Sequence, residues 1–278
     1  GLPRAPMSCD EVGEDCWVLT DAELLQVREA AHARAVQALR DGASEASPSR
    51  SSRGVVPLGM EEGQRLVLFY ARKIPELCAL CKAPSEVRWA AVVFYRRFFT
   101  SRSPMAFDPL PMMFACVHVA CKIEEVHEIT LDRLLERSAF GADAEMRTKV
   151  ASLELHLLEG LRWQLLLEPK PDMALNMLWE ELQSELASGR ASSDGTRPRY
   201  MDVPAELREQ ALLRAEELVA DLSVRTDAIL RWPASALTAA ALATVLDGLV
   251  GGRPAAETGG TALPSALVMS VLDAGIED

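Results

Sequence analysis

Residues 87–125 read VRWAAVVFYRRFFTSRSPMAFDPLPMMFACVHVACKIEE. Within them, the thirteen residues from Pro109 to Cys121 carry no charged side chain, and Asp108 and Lys122 close the two ends. Aspartate followed by proline is an N-cap with proline at the first helical position, so a helix begins here. A helix that is apolar nearly all the way round suits only a segment surrounded by other protein. At roughly 20 Å, from the 1.5 Å rise per residue, it is too short to span a bilayer. It is read as the central helix of an all-α domain.

The surroundings agree with that reading. The chain has 278 residues, 49% hydrophobic and 25% charged, an ordinary globular composition that suits two moderate domains or one large one. A net charge of −12, from 41 acidic and 29 basic residues, disfavours direct nucleic-acid binding and leaves a protein partner as the natural ligand. Alternating β-branched runs are scarce, so strands are hard to find. GLPRAPMSCDEVGED at the start lacks a basic region followed by an apolar run, so the six cysteines are read as reduced thiols inside a cell. The opening Gly1 fits either a fragment or a processed product.

Outward from the central helix, residues 1–16 are acidic and loose. An N-terminal helix follows over 17–40: Thr20 and Glu23 make a capping box, Leu19 and Leu24 can staple it, and Leu24, Val27, Ala31, Ala35 and Ala38 form its apolar stripe. Residues 41–59 are a Ser-, Gly-, Pro- and Arg-rich connector, with serines beside arginines that a kinase could modify. Helices are predicted near 60–82, 84–101, 108–124, 130–138 and 144–164. In the second of these, Val87, Ala91, Phe94 and Phe98 make the apolar face, and Arg88, Arg96, Arg97 and Arg102 stay outside. Pro169 and Pro171 punctuate the chain and divide it into units at 60–168 and 169–278. The second unit repeats the theme, with helices near 172–187, 203–223, 233–248 and 264–275. Its uncharged PASALTAAALATVL, opening at Pro233, is a second central helix. The segments 187–200 and 251–261 read as surface loops.

Two residues bear on function. Lys122 at the end of the central helix is, taken alone, a lysine that complements the macrodipole and reaches water. Glu154 is harder to dismiss. On a helical wheel of 144–164 it falls between Leu161 and Leu158, inside the arc that also holds Met146, Val150, Leu153, Leu157 and Leu165. A carboxylate there is paired, covered by a partner, or displaced to an exposed edge. Cys78/Cys81 and Cys116/Cys121 lie on helices at spacings unlike paired zinc knuckles, and are read as core thiols. His118 is read as a satisfied core histidine. Nucleotide-binding, zincin and hydrolase motifs are missing, which argues against an enzyme and implies no cofactor or metal.

FYRRFF, a loop, and DPLPMMFACVHVACKIEE together resemble the cyclin box, most closely that of the cyclin H type. CWVLTDAELLQVREAAHARAV is similar to the tryptophan-led helix preceding that box, LVLFYARKIPELCALCKAP to its first helix, and LSVRTDAILRWPASALTAAAL to the helix pair of a second box. The resemblance implies two tandem cyclin-box folds with an extra N-terminal helix. The second box reads as truncated, since a fifth helix is not evident and the C-terminal helix of the type is absent. The resemblance also implies a non-catalytic, nuclear regulatory subunit, although no basic targeting cluster is visible. The implied partners are a cyclin-dependent kinase of the CDK-activating type, a ménage-à-trois assembly factor and transcription factor IIH, with neither nucleic acid nor membrane. The resulting kinase would phosphorylate the polymerase C-terminal domain and the activation loops of cell-cycle kinases.

The family's lysine–glutamate pair maps onto Lys122 and Glu154, with Glu125, Phe98 and Phe99 as further kinase contacts. Lys122 is expected to donate to backbone carbonyls beside the kinase αC helix, with Glu154 orienting it. Arg96 stands where cell-cycle cyclins carry Asp, and no M-R-x-x-L docking patch is recognisable around Met60. Alternatives are a transcriptional cyclin of the C, K, L or T type, a cyclin-fold general transcription factor, which would need a basic face, and a thiol or metal enzyme built on the cysteines.

Overall fold

The computed structural model describes residues 17–45, 56–138, 140–141, 143–188 and 207–251. Among the described residues it is wholly helical. The elements are α1 (Asp21–Glu45), α2 (Met60–Ala71), α3 (Lys73–Cys81), α4 (Ser85–Ser101), α5 (Pro109–Ile123), α6 (Leu131–Arg137), α7 (Ala144–Gly160), α8 (Pro171–Ser188), α9 (Arg208–Arg225), α10 (Ala228–Arg231) and α11 (Ala234–Gly251). The predicted helix at 264–275, the acidic N-terminus and most of the serine-rich connector lie outside the described residues. No described helix is long and apolar enough to cross a membrane.

α5 forms as its sequence dictates. The Asp108 carboxylate accepts from the Leu110 N–H at 3.0 Å, and Pro109 occupies the first helical position, where its missing N–H costs nothing. Between Pro109 and Cys121 only Leu110 and His118 are not fully buried. α4 and α7 pack most extensively on α5, and α2, α3 and α6 add further contacts. The approach of α7 to α4 depends on Gly160: a Cβ there would stand 2.5 Å from the Phe98 ring. α7 buries Met146, Val150, Leu157 and Gly160, with Leu153 and Leu158 half-buried, the stripe that its wheel predicted.

The expected single helix at 60–82 is two. Pro75 has no N–H for the Ala71 carbonyl and its ring crowds that carbonyl, so the chain bends at Arg72 and restarts as α3. α1 carries the expected capping box, with the Thr20 N–H on Glu23 Oε2 at 2.9 Å and the Glu23 N–H on Thr20 Oγ at 3.3 Å. It buries Leu24, Ala31 and Ala35, and leaves Ala38 exposed. α10 is an element that the sequence did not suggest.

In the second half, α11 packs against α8 and α9 around Leu175, Trp179, Ala215, Val219 and Leu242. The two halves share apolar material. Val224, Ile229, Leu230 and Leu237 join the first core, and Trp89 of α4 touches both clusters.

The outer face of α4 is therefore not solvent-facing, and the expectation for its arginines changes. Arg96 and Arg97 are 2% and 5% exposed. Arg96 donates to the Thr226 carbonyl at 2.7 Å and pairs with Asp227. Arg28 of α1 meets the same carboxylate with two hydrogen bonds of 2.7 Å. Arg97 and Arg162 both lie over the Trp17 ring, 5.3 Å from its centre, a cation–π arrangement. Trp17 donates to Gln164 at 2.6 Å, the Leu19 N–H to the Leu230 carbonyl at 2.8 Å, and Arg231 to Asp21 at 2.8 Å. The N-terminal segment thus ties the first half to α10. Arginine fits these positions because it stays charged when buried and its planar fork can serve two acceptors at once.

Candidate functional site

α5 ends in a Schellman turn. The Val126 N–H reaches back to the Cys121 carbonyl at 2.8 Å and the Glu125 N–H to the Lys122 carbonyl at 3.3 Å, with Glu125 left-handed at φ 56°. This turn presents Lys122 toward α7, where its Nζ donates to both oxygens of Glu154 at 2.6 and 2.8 Å. The carboxylate inside the apolar stripe is paired.

The pair is open to solvent on one side: its side chains are 47% and 33% exposed. Coulomb attraction in so wet a setting adds little to the chain's own stability. Covering it with a partner would remove that water and strengthen every hydrogen bond it makes. Two exposed apolar side chains, Ile123 and Leu155, directly follow the paired residues in sequence. An ion pair with an apolar rim has the composition of a protein-binding patch. Leu155 carried a signal that the wheel reading passed over: it is a leucine of α7 lying outside the apolar arc.

The remaining predicted site residues divide. Glu125 is exposed in the same turn. Phe98 and Phe99 are 0% and 2% exposed, packed edge-on to each other with ring centres 5.2 Å apart. As placed they are core residues and offer no contact surface. The FYRRFF stretch was read as one apolar face with arginines outside, whereas α4 is enclosed on nearly every side.

His118, one turn before Lys122, is not satisfied as expected: its Nδ1 is buried without a hydrogen-bond partner. Burial first, and then the Lys122 charge, hold its pKa below the ordinary value, so the ring is neutral at pH 7. Cys78, Cys81, Cys116 and Cys121 are buried free thiols. Burial pushes Cys78 up to about 12 and Cys121 to about 11, which leaves almost no thiolate for nucleophilic or ligand chemistry. Glu124, at the C-cap of α5, pairs with Lys170 from the segment joining the halves, a contact that sequence spacing did not suggest.

A model of the cyclin N-terminal domain matches residues 63–166, the span from α2 to just past α7. Over that span the chain is similar to the cyclin N-terminal domain. Among the cyclins that it resembles are members of the H type. It is 25% identical over 253 residues to Cyclin-H1-1 of Arabidopsis thaliana, covering 84% of this chain and 69% of that one. It is 35% identical over 111 residues to Cyclin CCL1 of Saccharomyces cerevisiae, covering 40% of this chain and 27% of that one. The aligned part thus spans about a quarter of the yeast protein's length. The fold is similar to that of a chain in the yeast TFIIK (Kin28/Ccl1/Tfb3) complex, with a TM-score of 0.60 and 22% identity, covering 93% of this chain and 87% of that one.

Proposed function

We propose that this chain is a non-catalytic regulatory subunit that binds and activates a cyclin-dependent kinase of the CDK-activating type. The observation that carries the reading is the Lys122–Glu154 pair, formed between two helices of the cyclin domain, open to solvent and bordered by Ile123 and Leu155.

The mechanism follows from what a protein kinase needs. Its αC glutamate must pair with the β3 lysine that holds the ATP phosphates. A rigid helical surface that binds only the αC-in arrangement shifts the kinase toward it by its differential affinity for the two states. Lys122 is already anchored to Glu154, so its remaining N–H donor capacity is aimed before the kinase arrives. Its targets are backbone carbonyls beside αC, with Glu125 and the apolar rim completing the contact. The cyclin contributes binding free energy, and the kinase performs phosphoryl transfer.

The similarity to Cyclin-H1-1 and Cyclin CCL1 supports the cyclin H type over other cyclins, and on this reading its kinase is of the CDK-activating type. On the same reading the complex is nuclear and includes a ménage-à-trois assembly factor. It acts with transcription factor IIH on the polymerase C-terminal domain, and on the activation loops of cell-cycle kinases. Affinity purification of the chain, followed by identification of the bound kinase and assay on polymerase C-terminal repeats, tests this. Recovery of a CDK-activating kinase whose activity requires the chain is the expected result. Recovery of a kinase of another class, or of none, overturns it.

A further inference from the structure

Lys170 belongs to the segment between the two halves, and its carbonyl accepts the Ala174 N–H of α8 at 2.9 Å, so its backbone is part of the start of that helix. Its side chain crosses to the end of α5 and donates to Glu124. The contact is well shielded, with the side chains of Lys170 and Glu124 26% and 13% exposed. The hydrogen bond to Glu124 raises the Lys170 pKa against the opposing effect of burial, and the charges of Glu124, Glu86 and Asp172 reinforce it.

Glu124 sits between Lys122 and Glu125, in the turn that gives the docking face its shape. Its N–H bonds the Ala120 carbonyl at 2.9 Å, and the next residue is the left-handed Glu125. A non-glycine residue in that conformation persists only where its surroundings impose it. Holding Glu124 by its side chain fixes the turn from the outside.

We propose that Lys170 is a positioning residue: by pinning Glu124 it sets the α5 turn bearing Lys122 and Glu125, and so couples the placement of α8 to the docking face. This rests on the reading that the face binds a kinase. Lys170 touches neither Lys122 nor Glu154 in any hydrogen bond, and acts through Glu124.

The test uses the full chain and the cyclin-dependent kinase that co-purifies with it. Kd, kinase activity at saturating cyclin and the Tm of the free chain are measured for Lys170→Met, Lys170→Arg, Glu124→Gln/Lys170→Met and Lys122→Ala. Lys170→Met is expected to weaken kinase binding about tenfold, and Lys170→Arg to restore it. The double variant leaves no uncompensated charge, so it recovers Tm while binding stays weak. Combined with Lys122→Ala, Lys170→Met should add little further loss, because both act through one turn. If Lys122→Ala weakens binding and Lys170→Met does not, the positioning role is wrong. It is equally wrong if the double variant recovers affinity along with Tm. If Lys122→Ala leaves binding intact, the docking face itself is wrong, and the role of Lys170 falls with it.

Discussion

Arg28 and Asp227 lie on opposite sides of the first helical unit in sequence, yet they meet in a two-pronged ion pair with both hydrogen bonds at 2.7 Å. Arg96 of α4 adds a third donor to the same carboxylate. One aspartate therefore receives the N-terminal helix and the middle of the first unit together. Removing it would leave Arg96, whose side chain is 1% exposed, as a buried charge without its counter-ion. Asp227→Ala is expected to destabilise the chain by about 3 kcal/mol, toward the lower end for a broken buried pair because Asp227 is itself one-third exposed. Urea unfolding followed by circular dichroism measures it.

The same carboxyl sets an acid limit. Burial pushes its pKa up, but the Arg28 hydrogen bonds and the Arg96 and Arg28 charges outweigh that and hold it below 3.8. The folded chain thus binds this proton less readily than the unfolded one. The stabilisation is fully present above the unfolded-state value of about 3.9 and is lost as pH falls through the lower folded-state value. The Tm gap between the wild-type chain and Asp227→Asn should stay constant from neutral pH down to about 5 and close below about 4.

Gly160 has no room for a side chain. An alanine Cβ would stand 2.5 and 2.8 Å from two carbons of the Phe98 ring. Gly160→Ala is expected to cost about 1–3 kcal/mol through overpacking. Trimming the ring in a Phe98→Leu background should reduce that cost, which a double-mutant cycle on unfolding free energies reads directly.

On the proposed reading, Lys122 should separate stability from kinase binding. In the free chain its pair with Glu154 is exposed, so Lys122→Ala should cost less than about 1 kcal/mol of folding free energy. In the kinase complex the pair would be covered, and the loss is expected to be about 2–5 kcal/mol of binding free energy. Thermal melts of the free chain beside titration calorimetry with the co-purified kinase give both numbers. Equal effects in the two measurements would remove Lys122 from the docking face.

Much of the candidate site was legible because its signals are local. Asp108–Pro109 starts α5 by capping chemistry, and Lys122 ends it by charge. Glu154 stood out because a carboxylate interrupted a leucine stripe, and a helical period needs no tertiary knowledge to compute. The pair formed where those two helices pack. Phe98, Phe99, Arg96 and Arg97 were misjudged for the opposite reason. FYRRFF follows no simple apolar and polar division, and whether an arginine faces water depends on what else in the chain arrives beside it.

Sequence alone determined most of the helices, the enclosed position of α5 and the oddity of Glu154 inside an apolar stripe, since capping, periodicity and desolvation all act within a turn or two. That Lys122 would meet it was implied only by the resemblance to the cyclin box. Tertiary structure decided which side of α4 is covered, how Asp227 gathers Arg28 and Arg96, and how Lys170 reaches Glu124. Those contacts join residues far apart in the chain, and their value comes from water excluded by packing, which no local pattern records.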